Sequence, residues 1–450
     1  MIDPKSSEPL HAFGNWEKAG KLLIGAAQNN PFVRRQLERS ELSTDQIGKS
    51  PQAWARLSFV TKDDLIEDQR LCPPFGTRCP VSIEDLAVVV ESSGTTAIGK
   101  EAHCITREDY AETLRTWGVS LRRMGIGPKD LVAMTFPVGM SGGGVKHADA
   151  YAAVGAKVLR IANLSTRAKL DLMGYYGATV LIATPFYVDR LGAIAAEVGI
   201  DLTSLKIRKI IVATQSLTCD WVQTTEKKWG AKLYEWYGTA AGMIAFTCEH
   251  GMLGDKGERG TLHWDPDFAM YEVLNLESGE LVQDGERGEL VGTPFVSTAE
   301  PLFRFRTRDE VRFKAPGRCR CGSQWPGIES GTIRRLDGTF KVKGVNIWPS
   351  YVEAMLFELD SIRDYRVRIC LDDQGRETMR MDILTRPNVQ VSGDMIKGLT
   401  DRLRRATGLG FDVMTTRDSS QWLHATTGEA AKPRRWVDER MKQGESNAGA

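Results

Sequence analysis

The spacing of apolar residues between about 100 and 215 predicts an alternation of helices and strands. From Thr106 to Gly125, apolar side chains recur every three or four positions, the period of a helix with one buried face. Almost wholly apolar stretches between further helical patterns predict buried strands at about 130–137, 157–162, 178–185 and 205–214. Buried strands that alternate with helices predict a parallel sheet in a doubly wound α/β domain.

The pattern changes beyond residue 260. Residues 260–315 alternate short strands with polar turns and predict an antiparallel β part that completes the large domain. From about Arg335 onwards, a helix, two alternating strands, an amphipathic helix and a last strand predict a small α+β domain. The sequence therefore predicts a large domain at 1–334 and a small one at 335–450.

Composition narrows the possible functions. The 450 residues carry a net charge of +1, which argues against a dedicated nucleic-acid or membrane-surface binder. No apolar run approaches the roughly 18 residues of a membrane span, and the first residues lack a secretion signal, so we expect a soluble, cytoplasmic protein. The 8 cysteines are scattered, which favours free thiols or a metal site over a disulfide framework.

The stretch ESSGTTAIGKE at 91–101 has the composition of a phosphate-binding loop. It fits the G-x-x-x-x-G-K pattern of a P-loop, except that Glu101 stands where a P-loop places Ser or Thr on its magnesium ion. Backbone N–H groups and hydroxyls in a turn after a strand can wrap phosphates, and a lysine adds positive charge. A different kind of phosphate loop and a plain surface loop both fit this stretch taken alone. The residues concerned are Ser92, Ser93, Gly94, Thr95, Thr96 and Lys100.

Five separated motifs occur here in the order in which a known family carries them. They are SSGTT followed by a basic residue, EWYGTAAG, PLFRFRTRDEV, RRLDGTFKVKGVNIWPSYVE and AAKPRRWVDER. On these motifs the chain resembles the adenylate-forming acyl- and aryl-CoA ligases, most closely the phenylacetate–CoA ligase branch, over about 25–440. The resemblance implies a large nucleotide-binding domain and a small, mobile lid domain that is hinged near Asp337.

The resemblance also implies a reaction in two halves. ATP, with Mg²⁺, would react with an aromatic carboxylic acid to give an acyl adenylate and pyrophosphate, and the thiol of coenzyme A would then displace AMP. Such an enzyme acts mainly by positioning its substrates and stabilising charge on the phosphates. Transfer to a carrier-protein thiol or an amine is one alternative, and a degenerate nucleotide- or aryl-acid-binding protein is another. A homodimer is also implied as possible.

Individual roles follow from the same resemblance. The stretch from Ser92 to Lys100 would hold the β- and γ-phosphates. Asp309 would accept hydrogen bonds from both ribose hydroxyls, unless it is a turn residue paired with Arg308. Lys432 would bridge the carboxylate and the α-phosphate, unless it is a solvated surface lysine. The other nucleotide-side residues implied are Trp236, Tyr237, Gly238, Thr239 and Arg335.

The acyl pocket is expected within 136–149 and 183–190. Either Lys146 or His147 would bind a polar substituent of an aromatic ring, and a surface position for each is the alternative. The residues implied for a flat, aromatic-binding slot are Phe136, Met140, Gly142, Gly143 and Phe186.

The chain departs from the family at the Y-G-x-T-E motif. Ala240 and Ala241 stand where the family has Thr and Glu, so a carboxylate that usually binds Mg²⁺ is missing. Because Mg²⁺ can be held largely by phosphate oxygens and water, we expect weakened rather than abolished binding.

A cysteine cluster is also implied. Cys248, Cys319 and Cys321 occupy places at which many members of the branch bind a structural Zn²⁺. His250 or His263 would complete a closed tetrahedral site. Unpaired buried cysteines are the alternative.

Overall fold

In the computed structural model, the chain separates into two compact units between Arg334 and Arg335. Each unit has its own buried core, and the α/β class predicted from the sequence is confirmed. Within the described residues, no helix is long and apolar enough to span a membrane. The structure describes residues 16–47, 49–92, 101–136, 142–213, 217–254, 256–336, 340–343, 345–347, 349–356, 359, 361–372, 376–385, 392–416 and 435–440.

Helices at the start of the first unit pack onto its antiparallel strands. Asn30, Ser50 and Thr61 cap three of these helices, because each side chain accepts a hydrogen bond from the backbone N–H three residues later. Their apolar face buries Leu23 against Phe303. The helices are α1 (Trp16–Asn29), α2 (Pro31–Arg39), α3 (Pro51–Ala55) and α4 (Lys62–Leu71).

Strands β1 (Leu86–Glu91) and β2 (Ala102–Thr106) form a small antiparallel sheet. Cys104 on β2 is disulfide-bonded to Cys79, so the expectation of free thiols is wrong for this pair, although six cysteines are free. The two cysteines lie on segments that only the folded structure brings together. The predicted phosphate loop joins these two strands. Five of its predicted residues lie outside the described residues: Ser93, Gly94, Thr95, Thr96 and Lys100.

A twelve-stranded sheet forms the body of the first unit. Its strands are β3 (Leu131–Met134), β4 (Lys157–Arg160), β5 (Val180–Ile182), β6 (Lys209–Val212), β7 (Lys232–Gly238), β8 (Ile244–Thr247), β9 (Thr261–His263), β10 (Ala269–Leu274), β11 (Arg287–Pro294), β12 (Phe305–Lys314), β13 (Gly327–Glu329) and β14 (Arg334–Arg335). The order is β10-β11-β12-β13-β9-β8-β7-β6-β5-β3-β4, with β14 beside β12. Strand β7 pairs in parallel with β6 and antiparallel with β8, so the predicted parallel and antiparallel parts form one continuous sheet.

Neighbouring residues of the parallel strands face two different cores. Ile211 and Tyr234 belong to one buried cluster, whereas Ile210 and Leu233 belong to the other. Helices cover both faces, which explains why these strands are apolar throughout. The helices are α5 (Arg107–Arg123), α6 (Gly142–Ala153), α7 (Thr166–Tyr176), α8 (Pro185–Glu197) and α9 (Cys219–Trp229).

The second unit has a four-stranded sheet. Its elements are β15 (Phe340–Val342), β16 (Val345–Ile347), α10 (Pro349–Leu356), β17 (Ile362–Leu371), β18 (Glu377–Thr385), α11 (Gly393–Thr407), β19 (Asp412–Thr416) and β20 (Trp436–Asp438). The sheet order is β19-β18-β17-β20. The sequence pattern did not predict β20, which is only three residues long and pairs in parallel with β17. Val352 and Leu356 of α10 lie in the core of this unit.

Candidate active site

Asp309 and Tyr237 form a buried pair at the predicted ribose site. The Tyr237 hydroxyl donates to Asp309 Oδ2 at 2.6 Å, and the two residues are 8% and 3% exposed. Asp309 lies within strand β12, so its alternative placement in a turn is wrong. The carboxylate is thus held by a partner on a different strand before any ligand binds.

A β-bulge in strand β12 includes Asp309. Where β12 passes Leu290 of β11, the register shifts, and Thr307, Arg308 and Asp309 lie opposite that single residue. Arg308 adopts a left-handed backbone conformation with φ of 60°, and Thr307 Oγ1 donates to the Leu290 carbonyl oxygen at 2.7 Å. Because the bulge places three residues of β12 opposite one of β11, the alternation of buried and half-buried side chains continues through it, and Asp309 stays on the buried side.

The end of β7 carries the predicted motif residues 236–239. A Cβ atom on Gly238 would lie 2.4 Å from Cζ3 of Trp236, so glycine is needed for the indole ring to lie over the backbone. Thr239 closes the following turn, where its Oγ1 accepts a hydrogen bond from the Met243 N–H at 3.2 Å. Ala241 in this turn is 6% exposed and presents a methyl group, which offers no oxygen to a metal.

Ser92 and Glu101 flank the predicted phosphate loop. Ser92 Oγ donates to Glu101 Oε2 at 2.5 Å, and the Ser92 N–H donates to the Glu101 carbonyl oxygen at 3.0 Å. The hydroxyl of Ser92 therefore donates its hydrogen bond to Glu101 in this structure.

Lys146 and His147 lie on α6 and are 5% and 0% exposed, so the alternative of a surface position is wrong for both. Burial lowers the pKa of Lys146 to about 8, although the charge of Glu300 opposes this shift. Burial also lowers the pKa of His147 to about 3, so the imidazole is neutral near pH 7.

An aromatic cluster surrounds His147. Its ring centroid lies 4.2 Å from that of Trp236, 4.8 Å from Trp117, and 5.6 Å from both Phe136 and Tyr151. In the described part of the chain, neither ring nitrogen of His147 has a hydrogen-bond partner, nor have the Tyr151 hydroxyl and the Trp117 Nε1. Buried polar atoms without partners are uncommon and call for an explanation such as a ligand.

Three cysteines and a histidine meet at the edge of the antiparallel strands. The ligand atoms of Cys248, His263, Cys319 and Cys321 all lie within 4.8 Å of one another. His263 Nδ1 lies 3.1 Å from the Trp325 carbonyl oxygen, which can only accept, so Nδ1 carries the proton. The Nε2 atom is then free to bind a metal and lies 3.5 Å from Cys321 Sγ.

This donor set fits zinc. Three thiolates and one imidazole form a closed tetrahedral set, as in structural zinc sites. A hydrogen bond from Cys248 lowers the pKa of Cys319, and the same contact raises the pKa of Cys248, so the structure favours one thiolate in this pair. His250, the other candidate, is not a member of the group, and its Nε2 lies 3.9 Å from a Glu249 carboxylate oxygen.

Comparison with known proteins decides the family. The family model described as AMP-binding enzyme matches residues 21–296. The chain belongs to the AMP-binding enzyme family. It is 26% identical to the phenylacetate–coenzyme A ligase of Pseudomonas putida over 371 residues, which are 81% of this chain and 80% of that one. The enzyme of the same name from Aromatoleum evansii is 24% identical over 456 residues, 98% of this chain and 97% of that one.

A solved structure extends the likeness of this AMP-binding enzyme to its whole fold. The 2-hydroxyisobutyryl-CoA ligase in its postadenylation state, in complex with 2-HIB-AMP, matches with a TM-score of 0.80. The match covers 100% of this chain and 96% of that chain at 20% sequence identity. The family model and the similar phenylacetate–coenzyme A ligases confirm the phenylacetate–CoA ligase-like branch predicted from the five motifs.

Several predicted residues of the AMP-binding enzyme cannot be placed in the site. Met140, Asp337 and Lys432 lie outside the described residues. Gly142 and Gly143 begin α6, and Phe186 lies in α8. Arg335 ends β14 and is exposed.

Two ionisable residues, one buried and one half-buried, were not identified from the sequence. Glu235 on β7 accepts from Ser330 Oγ at 2.8 Å and from the Gly331 N–H at 2.6 Å, and burial raises its pKa to about 7. Its place within an apolar strand was a usable signal. Lys62 contacts Glu101 at 2.8 Å. Nothing local distinguishes Lys62 from a solvated lysine on a polar helix.

Proposed function

We propose that this chain is an AMP-forming acid–CoA ligase that activates an aromatic carboxylic acid. The observation that carries the proposal lies on β7, where consecutive residues serve two binding regions. Tyr237 reaches Asp309, and Trp236 packs beside His147. Because successive residues of a strand point to opposite sides, β7 would separate the nucleotide from the aromatic group.

The chain's own residues would mainly bind and orient the substrates. Asp309, held by Tyr237, would accept hydrogen bonds from the ribose hydroxyls. Lys432 would bridge the carboxylate of the acid and the α-phosphate. The carboxylate oxygen would form a bond to the α-phosphorus with release of pyrophosphate, and the coenzyme A sulfur would then attack the acyl carbon with release of AMP. Binding both substrates in one site supplies orientation that free reactants lack.

Support for an aromatic acid comes from the cluster around His147. Trp117, Phe136 and Trp236 provide ring faces and edges that suit an aromatic group. Lys146 or His147 would bind a polar ring substituent, because both are buried and His147 lies among these rings. The phenylacetate–coenzyme A ligases to which the chain is similar support the same class of acid.

Magnesium would be held differently from the usual arrangement in the family. The buried methyl group of Ala241 does not fit the role of a carboxylate ligand. Mg²⁺ would therefore bind mainly through phosphate oxygens and water, which is a common mode for this ion.

Zinc would be structural in this chain. Cys248, His263, Cys319 and Cys321 would hold it and connect the ends of β8, β9 and β12. We expect purified protein to contain about one zinc per chain and Cys319→Ser with Cys321→Ser to lose it and to melt at a lower temperature. Cys72→Ser, at an exposed free cysteine, is the control. Metal-free protein of unchanged stability contradicts the zinc site.

Exchange of labelled pyrophosphate into ATP tests the first half-reaction. We expect acid-dependent exchange with phenylacetate, benzoate and their hydroxylated analogues, and little exchange with straight-chain aliphatic acids of equal carbon number. ATP binding without exchange for any acid favours a nucleotide-binding protein, to which the loss of the carboxylate at Ala241 points. Exchange with aliphatic acids alone contradicts the aromatic pocket.

A further inference from the structure

Ser92 and Glu101 are joined by side-chain and backbone contacts. In addition to the bonds described above, the Glu101 N–H lies 3.4 Å from Ser92 Oγ. Glu101 is 6% exposed. These contacts set the separation of the two chain positions from which the predicted phosphate loop leaves and returns.

Lys62, which lies outside the β1–β2 sheet, contacts both Ser92 and Glu101. Its Nζ lies 2.8 Å from Glu101 Oε2 and 3.4 Å from Ser92 Oγ, and its side chain is 19% exposed. It is the first residue of α4, after the Thr61 N-cap. Thr61 and Asp64 form a reciprocal capping box, which fixes the backbone from which Lys62 extends.

The segment before Lys62 is tied to the strand that carries Asp309. The Val60 N–H donates to the Arg304 carbonyl oxygen at 3.2 Å, and the Arg306 N–H donates to the Val60 carbonyl oxygen at 2.9 Å. A short chain of contacts therefore runs from β12 through Val60 and Lys62 to Glu101.

Besides this contact, Lys62 also offsets the negative charge of Glu101. A carboxylate beside a triphosphate site repels the nucleotide unless a cation is paired with it. The short distance between Lys62 and Glu101, together with the low exposure of the carboxylate, makes their interaction stronger than that of an exposed pair.

We infer that Lys62 is a positioning residue for triphosphate recognition. It acts through Glu101, whose charge it neutralises, and fixes Ser92 and Glu101 relative to β12. The inference rests on the proposed function, since it takes ATP as the ligand. AMP lacks the β- and γ-phosphates, so Lys62 affects the binding of ATP and pyrophosphate and leaves the binding of AMP unchanged.

Binding of ATP and AMP to the full-length protein tests this by calorimetry. Lys62→Met should lower the affinity for ATP about tenfold or more, as expected for loss of a charge-assisted contact. The affinity for AMP should change less than about twofold. Lys62→Arg keeps the charge and should restore most of the ATP affinity. The matched control is Arg70→Met on the same helix, because Arg70 pairs only with exposed Glu67 in the described contacts.

The double variant Lys62→Met with Glu101→Gln tests whether Lys62 acts through the charge of Glu101. Removing the unpaired carboxylate should bring ATP affinity back towards that of the wild type, relative to Lys62→Met alone. A double variant no better than the single one means that Lys62 does not act by offsetting the charge of Glu101, which overturns the inference. Equal weakening of ATP and AMP, with or without a lower melting temperature, indicates a merely structural role and overturns it too. If the wild-type protein binds no ATP, the proposed function itself is contradicted. If Lys62→Met binds ATP as tightly as the wild type does, only this inference is overturned.

Discussion

Tyr237 and Tyr151 are both buried in the first unit, but their hydroxyl groups have different surroundings. Tyr237 donates to the Asp309 carboxylate at 2.6 Å. The Tyr151 hydroxyl has no partner in the described part of the chain, and it lies in a cluster with the unpaired nitrogens of His147 and Trp117. The nucleotide side is therefore already paired by the protein, and the acyl side is not.

The difference indicates how each side would gain binding energy. A carboxylate that is already fixed by Tyr237 needs little rearrangement when a ribose arrives. Unpaired buried polar atoms, by contrast, cost stability, and a ligand that bonds to them recovers that cost. We therefore expect nucleotide binding to be insensitive to the acid, and acid selection to depend on polar substituents.

The largest effect is expected for Asp309→Ala. Two ribose hydroxyls would each lose a charge-assisted hydrogen bond. The loss should lower kcat/KM for ATP about 100-fold or more. Pyrophosphate exchange at saturating acid is the measurement. Asp171→Ala, which removes only an exposed pair with Arg167, should leave the exchange unchanged. Equal loss in the two variants contradicts the assignment.

The pH dependence of unfolding probes the acyl side. Burial lowers the pKa of His147 from 6.5, its ordinary value in water, to about 3 in the folded protein, so the unfolded chain binds more protons between these values. Stability should fall as pH drops from 6.5 towards 3, by about 2 kcal/mol between pH 7 and pH 5. His147→Phe should lack this component. Glu235, whose raised pKa makes stability fall as pH rises, is present in both proteins and cancels in their difference. Equal pH slopes contradict the burial of a neutral imidazole.

The same substitution at the two tyrosines sharpens the comparison. Tyr237→Phe should lower the free energy of unfolding by about 1.5 kcal/mol, because it removes a bond to a charged group. Tyr151→Phe removes a hydroxyl that has no partner and should leave stability unchanged or raise it. Denaturant titration of both variants is the test, and equal destabilisation would remove the distinction between the two sides.

The smallest effect is expected for Ala241→Glu. It adds one hard oxygen ligand and should lower the magnesium concentration needed for exchange about tenfold. Ala240→Glu, at the neighbouring position, is the control. Saturation of the natural protein at low Mg²⁺, unchanged by the substitution, would show that another ligand holds the ion.

Local signals predicted the parts of the fold that depend on neighbouring residues. Helix α5 begins after Thr106, whose Oγ1 accepts from the Asp109 N–H at 3.2 Å, and the helix is followed by Gly125 with φ of 75°. Thr106 and Asp109 have the spacing of a capping box, but among the described contacts the Asp109 side chain does not return a bond to the Thr106 backbone. Its carboxylate instead accepts from Thr298 Oγ1 at 2.6 Å and from the Ala299 N–H at 2.9 Å, because tertiary partners replaced the local one.

The unpredicted features depend on long-range pairing. The bulge that includes Asp309 exists only because β11 and β12 pair with a shifted register. Lys62 and Glu101 meet through contacts of α4 with the hairpin, which no sequence period records. For the metal group, spacing left His250 and His263 open, and the pairing of β8 with β9 brings His263 beside the cysteines.

Product analysis tests the central claim most directly. The protein is incubated with ATP, Mg²⁺, phenylacetate or a hydroxylated analogue, and coenzyme A, and the products are identified by mass spectrometry. The account predicts equal amounts of AMP, pyrophosphate and the aryl-CoA thioester, with no thioester when ATP or the acid is left out. Formation of ADP, or AMP and pyrophosphate without a thioester for any acid that supports exchange, would contradict it.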